Sequence, residues 1–312
     1  MAAIIESDLV EGAPLAPDAS LLSPEMAMRL HRLTLLARRL HQDGRRGRRR
    51  SKQVGQGTER IDTREYVPGD DPRRIAWTIY GRLERLLTWQ VAEEAPLRLA
   101  LVVDTSGSMG FGRPSKLLQA ARLAAGLTAV ALAGEDRVAA LAVSGRPSVA
   151  LRSMRGRRAL PRFLAMLDGL RAGGPTDLAS AAATATACAG GRGLCVILSD
   201  FLDPRGAMSG AQSLRDLGHE VALIEVLDPF EIDPPELAAV VLEDEETGEL
   251  VELPDTGARA AYLDEMRRRR EQIEADAARL GAPVLRVTTQ EPFDDLVARA
   301  LAVGFMRTGA VS

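Results

Sequence analysis

Five oxygen-bearing side chains in three separated segments are of the types that hold a hard cation. They are Asp104, Ser106 and Ser108 in DTSGSM, Thr176 in GGPTDL, and Asp200 in VILSDF. Residues 97–103 are a nearly continuous apolar run, as in a strand buried on both faces, and Asp104 comes where that strand should end. Residues 193–198 repeat the pattern ahead of Asp200. Parallel strands present their carboxyl ends on one side of a sheet, so both carboxylates would reach the same edge. Packed together without a cation they repel, and leaving them desolvated costs several kcal/mol. A divalent cation would relieve that repulsion. With no His or Cys in the set, magnesium, manganese or calcium is favoured over zinc. The hydroxyls add oxygens without charge, so the ion would still accept a Glu or Asp from outside. The expected product is a metal-bridged docking site for an acidic ligand.

Taken singly, each residue also has an ordinary reading. Asp, Ser and Thr are common caps and turn formers. Thr176 reads as an N-cap for a helix beginning near Asp177, and Asp200 as the cap of a turn before Pro204. The strand context of both aspartates, together with the block upstream at residues 64–77, joins the five.

The elements that must position them alternate between apolar strands and helical stretches, as an open α/β sheet requires. Strands are expected at 97–103, 137–143, 148–152, 193–199, 220–226 and 283–287, and helices at 114–133, 157–170, 177–188, 207–217, 257–280 and 291–303. The strands starting at 137 and 148 are joined by a short loop through Ser144, Gly145 and Arg146, which makes one antiparallel edge strand. Residues 238–253 read as an inserted β-hairpin with Thr247 and Gly248 at the turn. Upstream, residues 1–22 read as a loosely ordered arm. Ser23 and Pro24 then open a helix with Met26, Leu30, Leu33, Ala37 and Leu40 on one face, ending at Gly44. That stripe reads as a contact with the main domain.

The DxSxS run with a distal Thr and a distal strand-end Asp resembles the metal-ion-dependent adhesion site of the von Willebrand factor A family, and all five positions match. In that family two serines and the threonine contact the metal, and the aspartates act directly or through water. The resemblance assigns those roles to Ser106, Ser108, Thr176, Asp104 and Asp200. The block REYVPGDDPRRIAW, residues 64–77, followed by GRLERLL, resembles the bacterial proteins grouped as domain of unknown function 58, in which it stands just before an A-type domain. The fold implied is α/β: a von Willebrand factor A-like, Rossmann-like open and mostly parallel sheet with helices on both faces. The domains expected are the arm 1–22, an N-terminal helix and small lobe at 23–95, the A-like domain at 96–305 with the hairpin inserted, and a tail at 306–312. Members of the family are commonly encoded beside MoxR-type AAA+ ATPases, so the resemblance implies such a partner and a role as adaptor or assembly factor. That link comes from context and from no residue.

Inside the block, Pro68 and Gly69 should form a turn, Asp71 a cap and Pro72 the start of a short helix, with Ile75 and Trp77 packing inward. Arg64, Asp70, Asp71, Arg73 and Arg74 are candidates for an internal ion-pair network or a partner surface.

At 312 residues, with 46% apolar and 4% aromatic content, the chain can bury a full core of mostly Ala, Leu and Val plus a smaller lobe. A net charge of −3 argues against whole-protein affinity for nucleic acid or membrane. The basic run GRRGRRRSK at 44–52 reads first as a solvated linker, with an acidic protein partner or the phosphate groups of nucleic acid or lipid as the alternatives, though it lacks interleaved aromatics for base stacking. Two cysteines make no disulfide framework. The first twenty residues carry no secretory pattern, and the longest apolar stretch, 123–133, falls short of the roughly 20 residues of a membrane span. A soluble protein in a reducing cytoplasm is expected, whereas members of the resembled family often carry membrane helices near the N-terminus.

Enzyme classes find little purchase. A haloacid dehalogenase-type phosphotransferase needs a second Asp where Ser106 stands. No GxxxxGK[ST] loop occurs, and no GxSxG elbow surrounds Ser106 or Ser108. His31, His41 and His219 have no motif partner. The expectation is a metal-dependent protein-binding module. The alternatives are a magnesium-dependent phosphohydrolase using the same oxygens, or a scaffold without metal-gated binding.

Overall fold

The structure, a computed structural model, describes residues 2–4, 21, 23–44, 53–93, 96–234, 241–244, 250–252 and 257–302. In chain order the N-terminal part gives β1 (Ala2–Ile4), α1 (Pro24–Gly44), β2 (Gln53–Glu65), α2 (Trp77–Leu83) and β3 (Leu87–Glu93). There follow β4 (Arg98–Asp104), α3 (Lys116–Ala133), β5 (Arg137–Ser144), β6 (Arg146–Arg155), α4 (Leu160–Asp168), α5 (Ala181–Ala189) and β7 (Leu194–Ser199). The remainder is α6 (Pro204–Asp216), β8 (Glu220–Leu227), α7 (Pro229–Ile232), β9 (Val241–Asp244), β10 (Leu250–Glu252), α8 (Ala258–Leu280), β11 (Val284–Thr288) and α9 (Phe293–Ala302). Two compact units result, one of residues 1–39 and 97–308, the other of 40–96 with 309–312.

The larger unit is an α/β fold on a sheet of order β11-β8-β7-β4-β5-β6. Neighbours pair in parallel except β6, which returns antiparallel to β5, as the short connection through Gly145 predicts. Alternation along the strands sorts the core. Leu99, Leu101 and Val103 face a cluster with Leu30 of α1, α3, Phe163 of α4 and Phe293 of α9. Ala100 and Val102 face the other side, with Ala181 of α5, Ala211 of α6 and Ile273 of α8. The apolar runs exist because these strands are covered on both faces. Among the described residues, α3 is long and apolar enough to cross a membrane, yet 89% of that window is buried inside the protein. The predicted contact of the α1 stripe with the main domain is present, with Met26 and Leu30 in the same core.

Several expectations shift. Of residues 1–22 the structure describes Ala2–Ile4, which pair with β9, and Leu21, which is buried with its N–H on Asp168 Oδ1 at 2.7 Å. The inserted hairpin is present as β9 and β10, joined to β1 in a three-stranded sheet, while Thr247 and Gly248 lie outside the described residues. The helix expected from 157 starts as a 3-10 turn, Arg157–Ala159, because Pro161 cannot donate to an α-helical ladder there. The helix expected from 177 starts at Ala181. The basic run from 45 to 52 and the tail at 306–312 lie outside the described residues.

The smaller unit is built on an antiparallel β2–β3 pair with register shifts. Asp71 caps the turn Pro72–Arg74 by accepting from the Arg73 N–H at 3.0 Å, and Gly69 takes φ 110°, as the block's turn chemistry requires. Ile75 packs, at 9% exposure, but Trp77 does not: it stands 59% exposed against the edge of Tyr80, because α2 buries no residue.

Candidate functional site

The strand order reverses at β4. The chain runs from β4 out to β5 and β6, then returns to lay β7 on the other flank, which opens a crevice between the carboxyl ends of β4 and β7. Asp104 closes β4, and Asp200 directly follows β7. Since Val103 pairs with Leu198, Ser199 sits beside Asp104, and its hydroxyl donates to Asp104 Oδ2 at 2.6 Å. The DTSGS loop folds back on the same carboxylate, with Ser106 N–H on Asp104 Oδ1 at 2.9 Å. This turn sets the Ser106 and Ser108 hydroxyls 3.2 Å apart, and both residues are buried. Thr105 anchors the loop to the end of β5 through Val143 O, by its N–H at 2.8 Å and its hydroxyl at 3.0 Å.

Thr176 is half-buried and reaches the neighbourhood on a different segment. Gly107 N–H donates to Gly174 O, and Gly173 N–H to Thr105 O, each at 2.9 Å, so the segment before Thr176 is laced to the DTSGS loop. Gly174 is required there: its φ is 78°, and a Cβ would stand 2.7 Å from Ser144 Oγ. The helix-cap reading of Thr176 does not hold, because α5 begins at Ala181 and the Ser180 N–H is taken by Asp177 Oδ1 at 3.1 Å. The turn reading of Asp200 does hold: its Oδ1 accepts from Leu202 N–H at 3.2 Å.

The other Asp200 oxygen carries what sequence reasoning missed. Lys116 Nζ lies 2.6 Å from Asp200 Oδ2 and 2.6 Å from Glu231 Oε1. Lys116 and the Asp200 side chain are fully buried, and the Glu231 side chain is 1% exposed. Glu231 is itself held by a reciprocal cap on α7, its Oε2 accepting from the Asp228 N–H at 2.7 Å. The Phe111 ring lies 5.9 Å from the ammonium. Burial alone would lower the Lys116 pKa, but the Asp200 and Glu231 carboxylates outweigh it and raise the ammonium above its ordinary value. Burial raises the Glu231 carboxyl above its ordinary value, against the pull of Lys116 and of the Asp228 N–H. Asp104 has no such partner. Burial first, and the charge of Asp200 second, push its carboxyl up to about 6, against the hydrogen bonds from Ser199 and Ser106.

Two signals pointed to the missed residues. Asp228-Pro-Phe-Glu231 has the spacing of a capping box. Lys116 opens α3 directly after its N-cap Ser115, where the helix dipole disfavours a cation, so a lysine there needs a local anion.

Among the described residues, no three His, Cys, Asp or Glu side chains gather as a metal cage. The donor set fits a hard cation only through its hydroxyls: Ser106 and Ser108 side by side, with Asp104 and Asp200 each keeping unused lone pairs on oxygens that already accept one hydrogen bond. His219 is engaged elsewhere, its Nε2 3.0 Å from Thr186 Oγ1. His31 is exposed on α1.

The model of the family described as Protein of unknown function DUF58 matches residues 62–272. Uncharacterized proteins of Mycobacterium bovis and Mycobacterium tuberculosis are 34% identical to this chain over 244 residues, which is 75% of it and 76% of each of them. Among solved structures, the conserved hypothetical protein BatB from Bacteroides thetaiotaomicron aligns with 68% of this chain and 98% of its own, at 16% identity and a TM-score of 0.46. The vWF domain of the type V pili tip protein Mfa5 from Porphyromonas gingivalis aligns with 70% of this chain and 98% of its own, at 12% identity and a TM-score of 0.35.

Proposed function

This chain belongs to the DUF58 family, whose description carries no activity, and from the geometry of the sheet edge we propose that it is a protein-binding module rather than an enzyme. The observation that carries the reading is the buried pair of hydroxyls, Ser106 and Ser108, set 3.2 Å apart beside a carboxylate at a topological switch point. Ser106, Ser108 and Thr176 would hold a divalent ion, magnesium first and manganese or calcium next, with Asp104 and Asp200 supplying charge directly or through water. When bound, the ion would offer a Lewis-acidic position to a Glu or Asp of a protein partner. The chain's own contribution is orientation: the Ser106 N–H and the Ser199 hydroxyl fix the Asp104 carboxylate, and the bonds to Gly173 and Gly174 fix the Thr176 segment.

A nucleophilic role for either serine lacks support, since each hydroxyl has the other as its hydrogen-bonded neighbour and, among the described residues, neither is bonded to a histidine. The partner we propose is a MoxR-type AAA+ ATPase, with this protein as its adaptor or assembly factor. The buried free thiols Cys188 and Cys195 suit the reducing, cytoplasmic setting proposed with it.

Calorimetric titration with Mn²⁺ and a pull-down from native lysate in Mg²⁺ and then in EDTA test the reading together. Mn²⁺ binding and a captured protein released by EDTA are expected for the wild type. Both should be lost in Asp104→Ala, with its circular dichroism unchanged. Capture that is identical in Mg²⁺ and EDTA would sink it.

A further inference from the structure

A divalent ion is one way to relieve the crowding of carboxylates at this edge, and the fold already contains another. Three carboxylates, those of Asp104, Asp200 and Glu231, lie buried at or just beyond the carboxyl ends of β4, β7 and β8, and a single ammonium, Lys116 Nζ, reaches two of them at 2.6 Å. We propose that Lys116 is the resident counter-ion of the candidate cation site: it holds Asp200 in place when no metal is bound, and it weakens the grip of the site on a metal when one arrives. The second half rests on the cation-site reading above; the first does not.

The geometry supports both halves. Lys116 bonds the same carboxylate that would face the metal, on Oδ2, while Oδ1 stays with the Leu202 N–H. It cannot drift into solvent, being fully buried under the Phe111 ring at 5.9 Å. Its second partner is fixed independently: Glu231 Oε2 takes the Asp228 N–H, and Asp228 Oδ2 takes the Thr289 hydroxyl at 2.6 Å. The ammonium is thus a clamp between the sheet edge and the β8–α7 turn, a positioning residue that does not itself touch the partner. Its charge also has a consequence for recognition. With three carboxylates, one ammonium and one divalent ion the cluster sums to zero, so an incoming Glu or Asp meets no excess negative charge; without the ammonium it would meet one.

The test uses the full chain with Lys116→Met, and Mn²⁺ alone as the probe. In EDTA the melting temperature should fall by roughly 10 °C, because two buried carboxylates lose their cation. Mn²⁺ should restore part of that loss and bind about tenfold more tightly than to the wild type, since a nearby like charge has gone. A purely structural lysine would give the first result without the second. Should the single variant fail to fold, Lys116→Met with Glu231→Gln keeps the shape and removes one buried carboxylate. It too should bind Mn²⁺ more tightly than the wild type. Mn²⁺ binding to whichever variant folds that is equal to or weaker than wild type would overturn the metal-opposing half. If no protein binds Mn²⁺, the cation-site reading fails and the melting temperature in EDTA decides what is left: a large fall supports the counter-ion, and an unchanged value overturns it.

Discussion

Ion pairs occur in both units of this protein, and they are not worth the same. At the sheet edge, Lys116 joins Asp200 and Glu231 with side chains 0%, 0% and 1% exposed. In the smaller unit, Arg64 joins Asp70 at the same 2.6 Å, but with side chains 42% and 19% exposed. Distance does not distinguish them; water does. A solvated pair exchanges one favourable environment for another and is screened by salt, whereas a buried one has lost its hydration and depends on every partner it keeps. The sheet edge is therefore where single substitutions should act, and the block around Arg64 is where they should be absorbed.

The largest effect expected is that of Glu231→Leu. It leaves Lys116 with one carboxylate in place of two and removes the acceptor of the Asp228 N–H. Breaking a buried pair by deleting one partner costs about 3–5 kcal/mol. Urea denaturation should show the loss as a lower midpoint with an unchanged slope. A loss below about 1 kcal/mol would place this triad with the surface pairs and erase the contrast.

Next comes Asp104, whose carboxyl is raised to about 6 in the fold, from 3.8. The native state then holds its proton more tightly than the unfolded chain. Its contribution favours folding at low pH and is lost as the pH rises from about 4 through about 6, by about 3 kcal/mol in all. The raised value belongs to the cation-free protein, so the measurement is made in EDTA. Relative to wild type, Asp104→Asn should gain stability steadily between pH 4 and pH 7 and then level off. A difference independent of pH would mean that the Ser106 and Ser199 hydrogen bonds cancel the effect of burial and of Asp200 at this carboxyl.

What could be read beforehand follows the same division between local and distant. The strands announced themselves because burial on both faces leaves apolar runs such as the one into Asp104, and β6 turned back where Gly145 allowed it. The two aspartates were legible because each directly ends such a run. On α8 the Asp264 pair with Arg268 sits four residues apart, where helical spacing alone brings such side chains together. Lys116 was not legible in this way: its partners lie 84 and 115 residues away, and nothing in the sequence near α3 names them. Trp77 misled for the opposite reason. Its size implies burial, but α2 is a seven-residue helix that buries no side chain, so local composition had no packing partner behind it.

The smallest effect sharpens the comparison from the other side. Arg64→Ala removes the pair with Asp70, yet the turn it decorates has its own supports: the Val67 N–H on Asp70 Oδ2 at 3.0 Å and the Asp71 cap on Arg73 N–H. Stability should change by less than about 1 kcal/mol, and that difference should shrink further between 0.05 and about 0.5 M salt. The same salt series on Lys116→Met should leave its deficit nearly constant, because the triad it disrupts is out of reach of the ions. If salt closed both gaps equally, screening would reach the sheet edge as it reaches Arg64, and burial would not be what separates the two regions.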